Sequence, residues 1–334
     1  MSERTDENGL IIAKNITNLG LPVKFKRSID GALGDTYFLE ITNIALYTKA
    51  KLNAIQEQLT VAHGITCVFE NTNEPSIIKL SMIYKQGTLN IDYVESLGYP
   101  KGSFPIGVDN DNKPVCIDFR KTPHLLIAGT TGSGKSTLLH NLTYNIIHQY
   151  HRTRNMERMG NVAIGIIDPK GSEFCDYNGI KCVKYVSDIK QSISLLKFLC
   201  DLMDKRYLDK SLDDYDIYLV IDELADLMFR SKHEVEESLI RLAQKGRACH
   251  IYLIVATQRP TVDVCSGLIK ANMSCRIVLQ TANAMDSVVV LEHKGAETLR
   301  GMGEAIIKNG AVERRFQVAL PDFEQELIIQ AKQH

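Results

Sequence analysis

A glycine-rich loop between an apolar strand and a helix is the feature that most constrains this chain. The segment GTTGSGKS, Gly129–Ser136, follows the apolar run 125–128 and matches the pattern G-x-x-x-x-G-K-[ST] before a helix that begins near Thr137. Glycines let a backbone wrap closely enough to direct its N–H groups at phosphate oxygens, and a helix N-terminus adds partial positive charge there. A glycine-rich turn without a ligand is the alternative. The strand before the loop and the helix after it favour phosphate binding.

The loop predicts a site for ATP with magnesium. Lys135 is expected to reach the β and γ phosphates, and the Ser136 hydroxyl is expected to bind magnesium. The residues expected to contact the nucleotide are Gly129, Thr130, Thr131, Gly132, Ser133, Gly134, Lys135, Ser136 and Thr137.

Two carboxylates follow a second apolar run, IYLVI. Asp222 and Glu223 should emerge at the carboxyl edge of a sheet, where α/β proteins bind ligands. We expect Asp222 to hold the magnesium shell and Glu223 to polarise the attacking water. A helix cap is the alternative for such an acidic pair, and the glycine loop upstream favours the catalytic interpretation.

A third apolar run, IYLIVA, ends in Thr257, Gln258 and Arg259. The amide of Gln258 is expected to contact the γ phosphate or to orient water. A loop cap without catalytic function is the alternative.

The pattern of apolar runs predicts an α/β fold with a mostly parallel central sheet. Strands are expected at 125–128, 162–167, 217–221, 251–256 and 276–280, with helical segments between them. Apolar runs separated by helices are typical of a parallel sheet that is covered on both faces. One of the helices is expected to begin after Ser187 or Asp188 as its N-cap.

The region before the glycine loop is organised differently. We expect a polar leader over 1–28, a small α+β domain over 29–104 and the ATPase domain over 105–334. The small domain should contain three strands and one helix, about 50–63. A hairpin with turn residues Asp109–Lys113 should lead into the next strand.

Composition excludes several classes of protein. The formal net charge of -1 gives no overall basic surface, so nucleic-acid binding does not follow from composition. The eight cysteines include no C-x-x-C pair and no zinc-like spacing, which indicates the reducing cytoplasm. No apolar stretch reaches 18 residues, so any membrane role is expected to come through a partner.

Seven collinear segments resemble the motor of FtsK/SpoIIIE family DNA translocases, over about 105–320. They are PHLLIAGTTGSGKS, IIDPKGSEF, DKRY, VIDELADLM, RLAQKGRACHIYLIVATQRPTVD, GLIKANMSCRIVLQ and GAETLRGMGE. The smaller region before them is similar to the α domain of that family. The resemblance implies a RecA-like core that forms a hexameric ring around double-stranded DNA, with ATP at the subunit interfaces.

The resemblance also implies roles for particular residues. Arg247 matches the arginine that reaches into the site of a neighbouring subunit, although the residues alone also allow a cation at a helix C-terminus. Thr257, Arg259 and Lys270 match positions that contact DNA phosphates. Ala284 and Val288 stand where the family usually has basic residues, so one DNA-contacting loop should hold the backbone less firmly.

Four functions remain open at this point. The first is an ATP-driven translocase for plasmid, phage or mobile-element DNA, and the second is a conjugative coupling or packaging ATPase that docks on a relaxase, portal or membrane protein. The third is a protein-secretion ATPase. The fourth is a nucleotide switch that does not hydrolyse, which the combination of Glu223, Gln258 and Arg247 disfavours.

Overall fold

The chain divides into two compact units. One comprises Met1–Thr88 and Val108–Lys113, and the other comprises Leu89–Gly107 and Pro114–His334. The computed structural model describes residues 2–31, 33–72, 74–84, 89–153, 161–212 and 215–321. Across this part of the chain, none of the helices combines the length and apolarity needed to cross a lipid bilayer.

The first unit is a four-stranded antiparallel sheet with two helices. Its elements are α1 Ser2–Asn18, β1 Val23–Asp30, β2 Gly34–Ile41, α2 Lys49–His63, β3 Thr66–Asn71 and β4 Ile77–Ile83. The strand order is β1-β2-β4-β3. Ile16, Leu39, Ile55 and Leu80 lie in one buried apolar cluster, so both helices contribute to the core of this unit.

The N-terminal segment differs from the expected polar leader over 1–28. Residues 2–18 are helical, and the strand β1 begins at Val23. Ile12, Ala13 and Ile16 are buried at helical spacing within an otherwise polar sequence. Three apolar residues on one face are enough to anchor the helix. Because the rest of the segment is polar, its average composition did not indicate them.

The second unit contains the remaining elements, apart from the last two residues of β5. They are α3 Ile91–Ser96, β5 Phe104–Asp109, β6 Pro114–Ile117, β7 His124–Ala128, α4 Lys135–Thr153, β8 Asn161–Ile167, β9 Val183–Val186, α5 Ile189–Leu208, β10 Tyr215–Ile221, α6 Leu224–Lys245, β11 Ile251–Thr257, α7 Gly267–Asn272, β12 Cys275–Leu279, α8 Ala284–Leu291, β13 Glu304–Asn309 and β14 Val312–Val318. The strands form one ten-stranded sheet in the order β6-β5-β14-β13-β12-β7-β11-β10-β8-β9.

This sheet confirms the predicted fold class. The strands from β12 to β9 in that order are parallel, and the pairs β12–β13 and β13–β14 are antiparallel. Alternate residues of each central strand enter different apolar clusters: Leu126 and Leu253 pack with residues of α5 and α6, whereas Leu125 and Ile254 pack with residues of α4. Helices therefore cover both faces of the sheet.

The boundary between the units also differs from the expected one at 104/105. The segment from Leu89 belongs to the second unit, where Ile91 N donates to Leu320 O and Leu320 N donates to Leu89 O. Ile91 and Val94 of the short helix α3 are buried. The turn-rich composition of this region concealed an element whose partners lie more than two hundred residues later in the chain.

Candidate nucleotide and hydrolysis site

Three loops meet at the carboxyl edge of the parallel sheet. The strand β11 lies between β7 and β10, and all three run in the same direction. The glycine loop follows β7, the acidic pair follows β10, and Gln258 follows β11. The sheet order thus places the end of β11 between the two other predicted parts of the site.

Lys135 and Asp222 form a buried ion pair at this edge. Lys135 Nζ donates to Asp222 Oδ1 at 2.6 Å and to the Asp222 carbonyl oxygen at 2.9 Å. Lys135 is 3% exposed and Asp222 is fully buried. The second carboxylate oxygen, Asp222 Oδ2, is buried and has no hydrogen-bond donor among the described residues. A buried carboxylate oxygen without a donor suits a hard cation such as magnesium.

The carboxylate of Glu223 is fixed by three donors. Thr257 Oγ1 donates to Glu223 Oε1 at 2.7 Å, Gln258 N donates to Oε2 at 3.0 Å, and Ala225 N donates to Oε1 at 3.2 Å. The last contact makes Glu223 the N-cap of α6. Glu223 is therefore both a helix cap and a residue of the candidate site. Oε2 has fewer donors than Oε1 and is the oxygen better able to accept a proton.

The side chain of Gln258 links the two sides of the site. Gln258 Oε1 accepts a hydrogen bond from Thr131 Oγ1 at 3.0 Å, while the backbone N–H of the same residue binds Glu223. Gln258 therefore connects the glycine loop with the acidic strand end. This arrangement would couple a change at either element to the segment that begins with Arg259.

The loop backbone has the conformation that its glycines were expected to allow. Gly132 and Gly134 have φ values of 79° and 100°, in the left-handed region. A Cβ at position 134 would lie 2.6 Å from the nitrogen of Gly303, whose N–H donates to Ser133 O at 2.8 Å. The loop is therefore supported by the turn 300–304.

Not every loop residue faces the site. Thr130 uses both its N–H and its hydroxyl on the carbonyl of Gln280, at 2.9 and 3.0 Å. Ser136 and Thr137 are half-buried in the first turn of α4, and the buried Ser133 Oγ has no hydrogen-bond partner within the described chain. Thr130 is thus a support of the loop, whereas the half-buried Ser136 keeps its hydroxyl for a ligand.

The supporting turn is built around the buried Glu304. Arg315 Nε donates to Glu304 Oε1 at 2.7 Å, and Arg300 N donates to Oε2 at 2.8 Å. Burial alone would raise the pKa of Glu304, but the charges and hydrogen bonds of Arg315 and Arg300 hold that pKa below its usual value. The segment GAETLRGMGE entered the prediction only through the family resemblance, and its supporting role was not predicted. The two glycines on either side of Met302, Gly301 and Gly303, were the available indication of a tight turn at this place.

Arg247 lies at the opposite edge of the sheet. It belongs to a short 3-10 turn, Gly246–Cys249, between α6 and the start of β11. The seven residues of β11 separate it from the site by roughly 20 Å, at about 3.3 Å per residue. Arg247 is exposed, and its side chain makes no hydrogen bond within the described residues. It does not meet the glycine loop of its own chain.

Two of the three residues expected to contact DNA have hydrogen-bond partners within the chain. Thr257 is fully buried, and its hydroxyl is bound to Glu223 because β11 ends inside the site. Lys270 is half-buried, and its Nζ donates to Val289 O at 2.9 Å near the end of α8. Arg259 is exposed and keeps its side chain for a ligand.

Comparison with known proteins assigns the family. The model of the FtsK/SpoIIIE family matches residues 95–218 and 215–262, together half of the chain. The chain belongs to the FtsK/SpoIIIE family. The glycine loop, both acidic residues, Arg247 and the end of β11 all lie within the matched residues.

Curated relatives of this FtsK/SpoIIIE family member carry the name DNA translocase. The chain is 37% identical over 229 residues to DNA translocase SftA of Bacillus subtilis (strain 168), which covers 62% of this chain and 23% of that protein. It is 34% identical over 252 residues to DNA translocase FtsK of Haemophilus influenzae, covering 62% of this chain and 46% of that protein. The chain thus spans less than half the length of these relatives.

Solved structures support the fold over a longer span. The pCW3 conjugation coupling protein TcpA, in a monomer form with ATPγS, matches with a TM-score of 0.65 and 23% identity over 98% of this chain and 99% of that chain. The cytoplasmic domain of the type VII secretion ATPase EccC of Thermomonospora curvata matches with a TM-score of 0.61 and 21% identity over 75% of this chain and 35% of that chain. These likenesses are in fold, that of P-loop ATPases.

Proposed function

We propose that this chain is the ATP-hydrolysing motor of a double-stranded DNA translocase that works as a hexameric ring. The observation that carries the proposal is the division of the catalytic set between two edges of one sheet. Lys135, Asp222 and Glu223 lie at one edge, and the exposed Arg247 lies at the other. A second copy that places its Arg247 edge against the first would complete the site.

The chemistry assigned to the site is hydrolysis of the bond between the β and γ phosphates of ATP. Lys135 binds these phosphates, and Gln258 orients a water molecule toward the γ phosphorus. Glu223 Oε2 accepts the proton of that water as the oxygen attacks, and the bond to the bridging oxygen of ADP breaks to release phosphate. Arg247 of the neighbouring copy offsets the negative charge on the transferred group, an effect worth about 10³ to 10⁵ in rate.

Magnesium fits the residues at the site. Asp222 Oδ2 and the Ser136 hydroxyl are oxygen ligands of the kind that this ion prefers, and the carboxylate oxygen lacks another partner in the described chain. The ion, when bound, would offset phosphate charge. Lys135 would then exchange part of its contact with Asp222 for the phosphates.

DNA is the proposed cargo because the relatives are named DNA translocases. Arg259 is the described cation best placed to report nucleotide state to DNA, since it follows Gln258 directly and is exposed. A contact to phosphate would be independent of base sequence, as a translocase requires. The eight cysteines are free thiols, which supports a cytoplasmic location.

The ATPase rate with and without linear duplex DNA tests the proposal. We expect a basal rate, a severalfold increase with duplex DNA, and a steep loss of that increase with added salt. Sedimentation with a non-hydrolysable ATP analogue should give a mass six times that of the monomer. A rate that duplex DNA leaves unchanged would remove DNA as the cargo.

A conjugative coupling ATPase is the second candidate. The likeness to TcpA extends over 98% of this chain, whereas the match to SftA covers 62% of it. Both candidates hydrolyse ATP, and they differ in partner. Stimulation by bare duplex DNA supports the translocase, whereas stimulation only by DNA that carries a relaxase supports the coupling ATPase.

A further inference from the structure

The backbone around Arg247 is held by the end of helix α5 and by the 3-10 turn that follows it, Lys210–Leu212. Tyr207 Oη donates to Lys245 O at 3.2 Å, Lys210 Nζ donates to Ala248 O at 3.1 Å, and Arg206 Nη1 donates to Cys249 O at 2.7 Å. We call Arg206, Tyr207 and Lys210 the α5 clamp. Its contacts lie on both sides of Arg247, so they fix the turn and leave the guanidinium exposed.

Arg206 is the buried member of the α5 clamp. It is fully buried, and the same Nη1 also donates to Tyr215 O at 3.1 Å. Its guanidinium lies 4.5 Å from the centre of the Tyr215 ring. Burial of a cation is costly, and the two carbonyl oxygens that accept from Nη1, together with the aromatic face, offset part of that cost. Arg206 thereby ties the Arg247 turn to the first residue of β10.

Three further contacts fix the end of the same turn. His250 has a φ of 56° and its Nδ1 lies 3.0 Å from Asp216 Oδ1, while Ile217 N donates to His250 O. Cys249 Sγ donates to Met203 O at 3.5 Å within the core. A left-handed conformation at a residue other than glycine is maintained only where its surroundings hold it. The turn is therefore held at several points, yet its arginine has no side-chain hydrogen bond in the described chain.

We propose that the α5 clamp positions Arg247 for the nucleotide of the neighbouring protomer. The inference rests on the proposed function, in which Arg247 acts across the subunit interface. An arginine that stabilises transferred charge must be placed accurately, because a misplacement of about 1 Å costs about 10²-fold in rate. Arg206, Tyr207 and Lys210 do not contact phosphate; they are positioning residues.

The variant that tests the clamp is Tyr207→Phe with Lys210→Met. It removes both surface contacts to the Arg247 turn and leaves the buried Arg206 in place, because loss of Arg206 would threaten folding. We expect unchanged affinity for ATP. The DNA-stimulated turnover number should be about 10- to 100-fold lower, because a misplacement of about 1 Å costs about 10²-fold in rate. Lys197→Met is the matched control, since Lys197 lies on α5, as Tyr207 does, and pairs with Glu234 at 2.6 Å instead. It should stay within roughly twofold of the wild type, as an exposed pair contributes little.

Mixed rings separate a displaced arginine from a damaged site. Glu223→Gln has an inactive site but an intact Arg247, whereas the clamp variant has an intact site. Mixing the two should give more turnover than the sum of the separate rates, since some interfaces then combine an intact site with a well-placed arginine. Tyr207→Phe alone gives the same comparison if the double variant melts at a lower temperature.

A second mixture, Arg247→Ala with Glu223→Gln, tests the proposed function independently. If it regains turnover and the clamp mixture does not, the clamp inference is wrong and the proposed function stands. If neither mixture exceeds the sum of its separate rates, Arg247 does not act in trans. The clamp inference and the proposed function are then both wrong. A clamp variant with wild-type turnover would also overturn the inference.

Discussion

The ion pair of Lys135 and Asp222 links stability with nucleotide binding. Lys135→Ala would leave the fully buried Asp222 carboxylate without its cation, and breaking a buried pair in this way costs about 3–5 kcal/mol. We therefore expect this variant to melt at a lower temperature and to lose ATP binding. Thermal denaturation and binding of a fluorescent ATP analogue measure the two effects.

The double variant Lys135→Ala with Asp222→Asn separates these effects. Removing the charge of Asp222 should restore much of the melting temperature, because no carboxylate is then left unpaired. ATP binding should stay absent, since the phosphates still lack Lys135. Recovery of ATP binding in the double variant would show that Lys135 has a structural role only.

Glu223→Gln should separate ATP binding from hydrolysis. The amide keeps one acceptor oxygen for Thr257 but cannot take a proton, so turnover should fall about 10²- to 10⁴-fold while affinity for ATP changes little. Steady-state turnover and equilibrium binding measure these quantities. Glu234→Gln is the control, because Glu234 is a half-exposed residue of the same helix α6 that pairs with Lys197. Equal turnover in Glu223→Gln and the wild type would favour a nucleotide-dependent scaffold.

Arg259 and Lys270 should differ in their effect on DNA binding. The exposed Arg259 is free to meet a phosphate, and Arg259→Ala should lower the slope of log affinity against log salt by about 1. Lys270 binds a carbonyl of α8, so Lys270→Ala should leave that slope unchanged and lower the melting temperature slightly. Fluorescence anisotropy over a salt series distinguishes the two. A shallower slope in Lys270→Ala would support the DNA contact that the family resemblance implies for Lys270.

At the level of elements, apolar periodicity was the reliable guide. All five expected strands of the parallel sheet exist within one or two residues, because each is a continuous buried run. Asp188 caps α5 as expected, with its side chain accepting from Gln191 N. The helix α1 escaped prediction because its buried stripe is narrow, and α3 escaped because its partners lie near Leu320.

The strand β7 begins with a buried histidine that should make stability depend on pH. His124 is 2% exposed, and its Nδ1 accepts a hydrogen bond from Leu253 N at 3.2 Å. Burial lowers the pKa of His124 to about 4. In the unfolded chain this histidine takes up a proton below about pH 6.5, whereas the folded chain keeps it neutral. Its contribution is therefore present above about pH 6.5 and decreases as the pH falls toward about 4.

His124→Gln should remove this part of the pH dependence. The variant retains an acceptor for Leu253 N but does not titrate, so the wild type should lose on the order of 2 kcal/mol more than the variant by about pH 5. Thermal denaturation of both proteins over that pH range measures the difference. His233→Gln, at an exposed position on α6, should keep the wild-type profile. Parallel profiles for His124→Gln and the wild type would contradict the lowered pKa.

For the whole molecule, sequence motifs gave the residues of the candidate site but not their arrangement. Motif chemistry predicted Lys135 and Asp222 at one nucleotide site, although 87 residues separate them, but it did not predict their ion pair. The link from Thr131 to Gln258 depends on β11 lying between β7 and β10, and strand order is not encoded in local periodicity. The same sheet order buries Thr257, which the family resemblance alone placed at the DNA.

The location of Arg247 at the edge opposite to the site predicts that turnover depends on assembly. Because roughly 20 Å of β11 separates Arg247 from the site of its own chain, a monomer holds both parts and cannot combine them. Turnover per chain should therefore rise with protein concentration and level off as rings form. Arg247→Ala should assemble over the same concentration range, as sedimentation would show, but its turnover should stay low and flat. Constant turnover per chain at concentrations where sedimentation finds only monomer would mean that one copy hydrolyses ATP alone, and the role of Arg247 across the interface would be excluded.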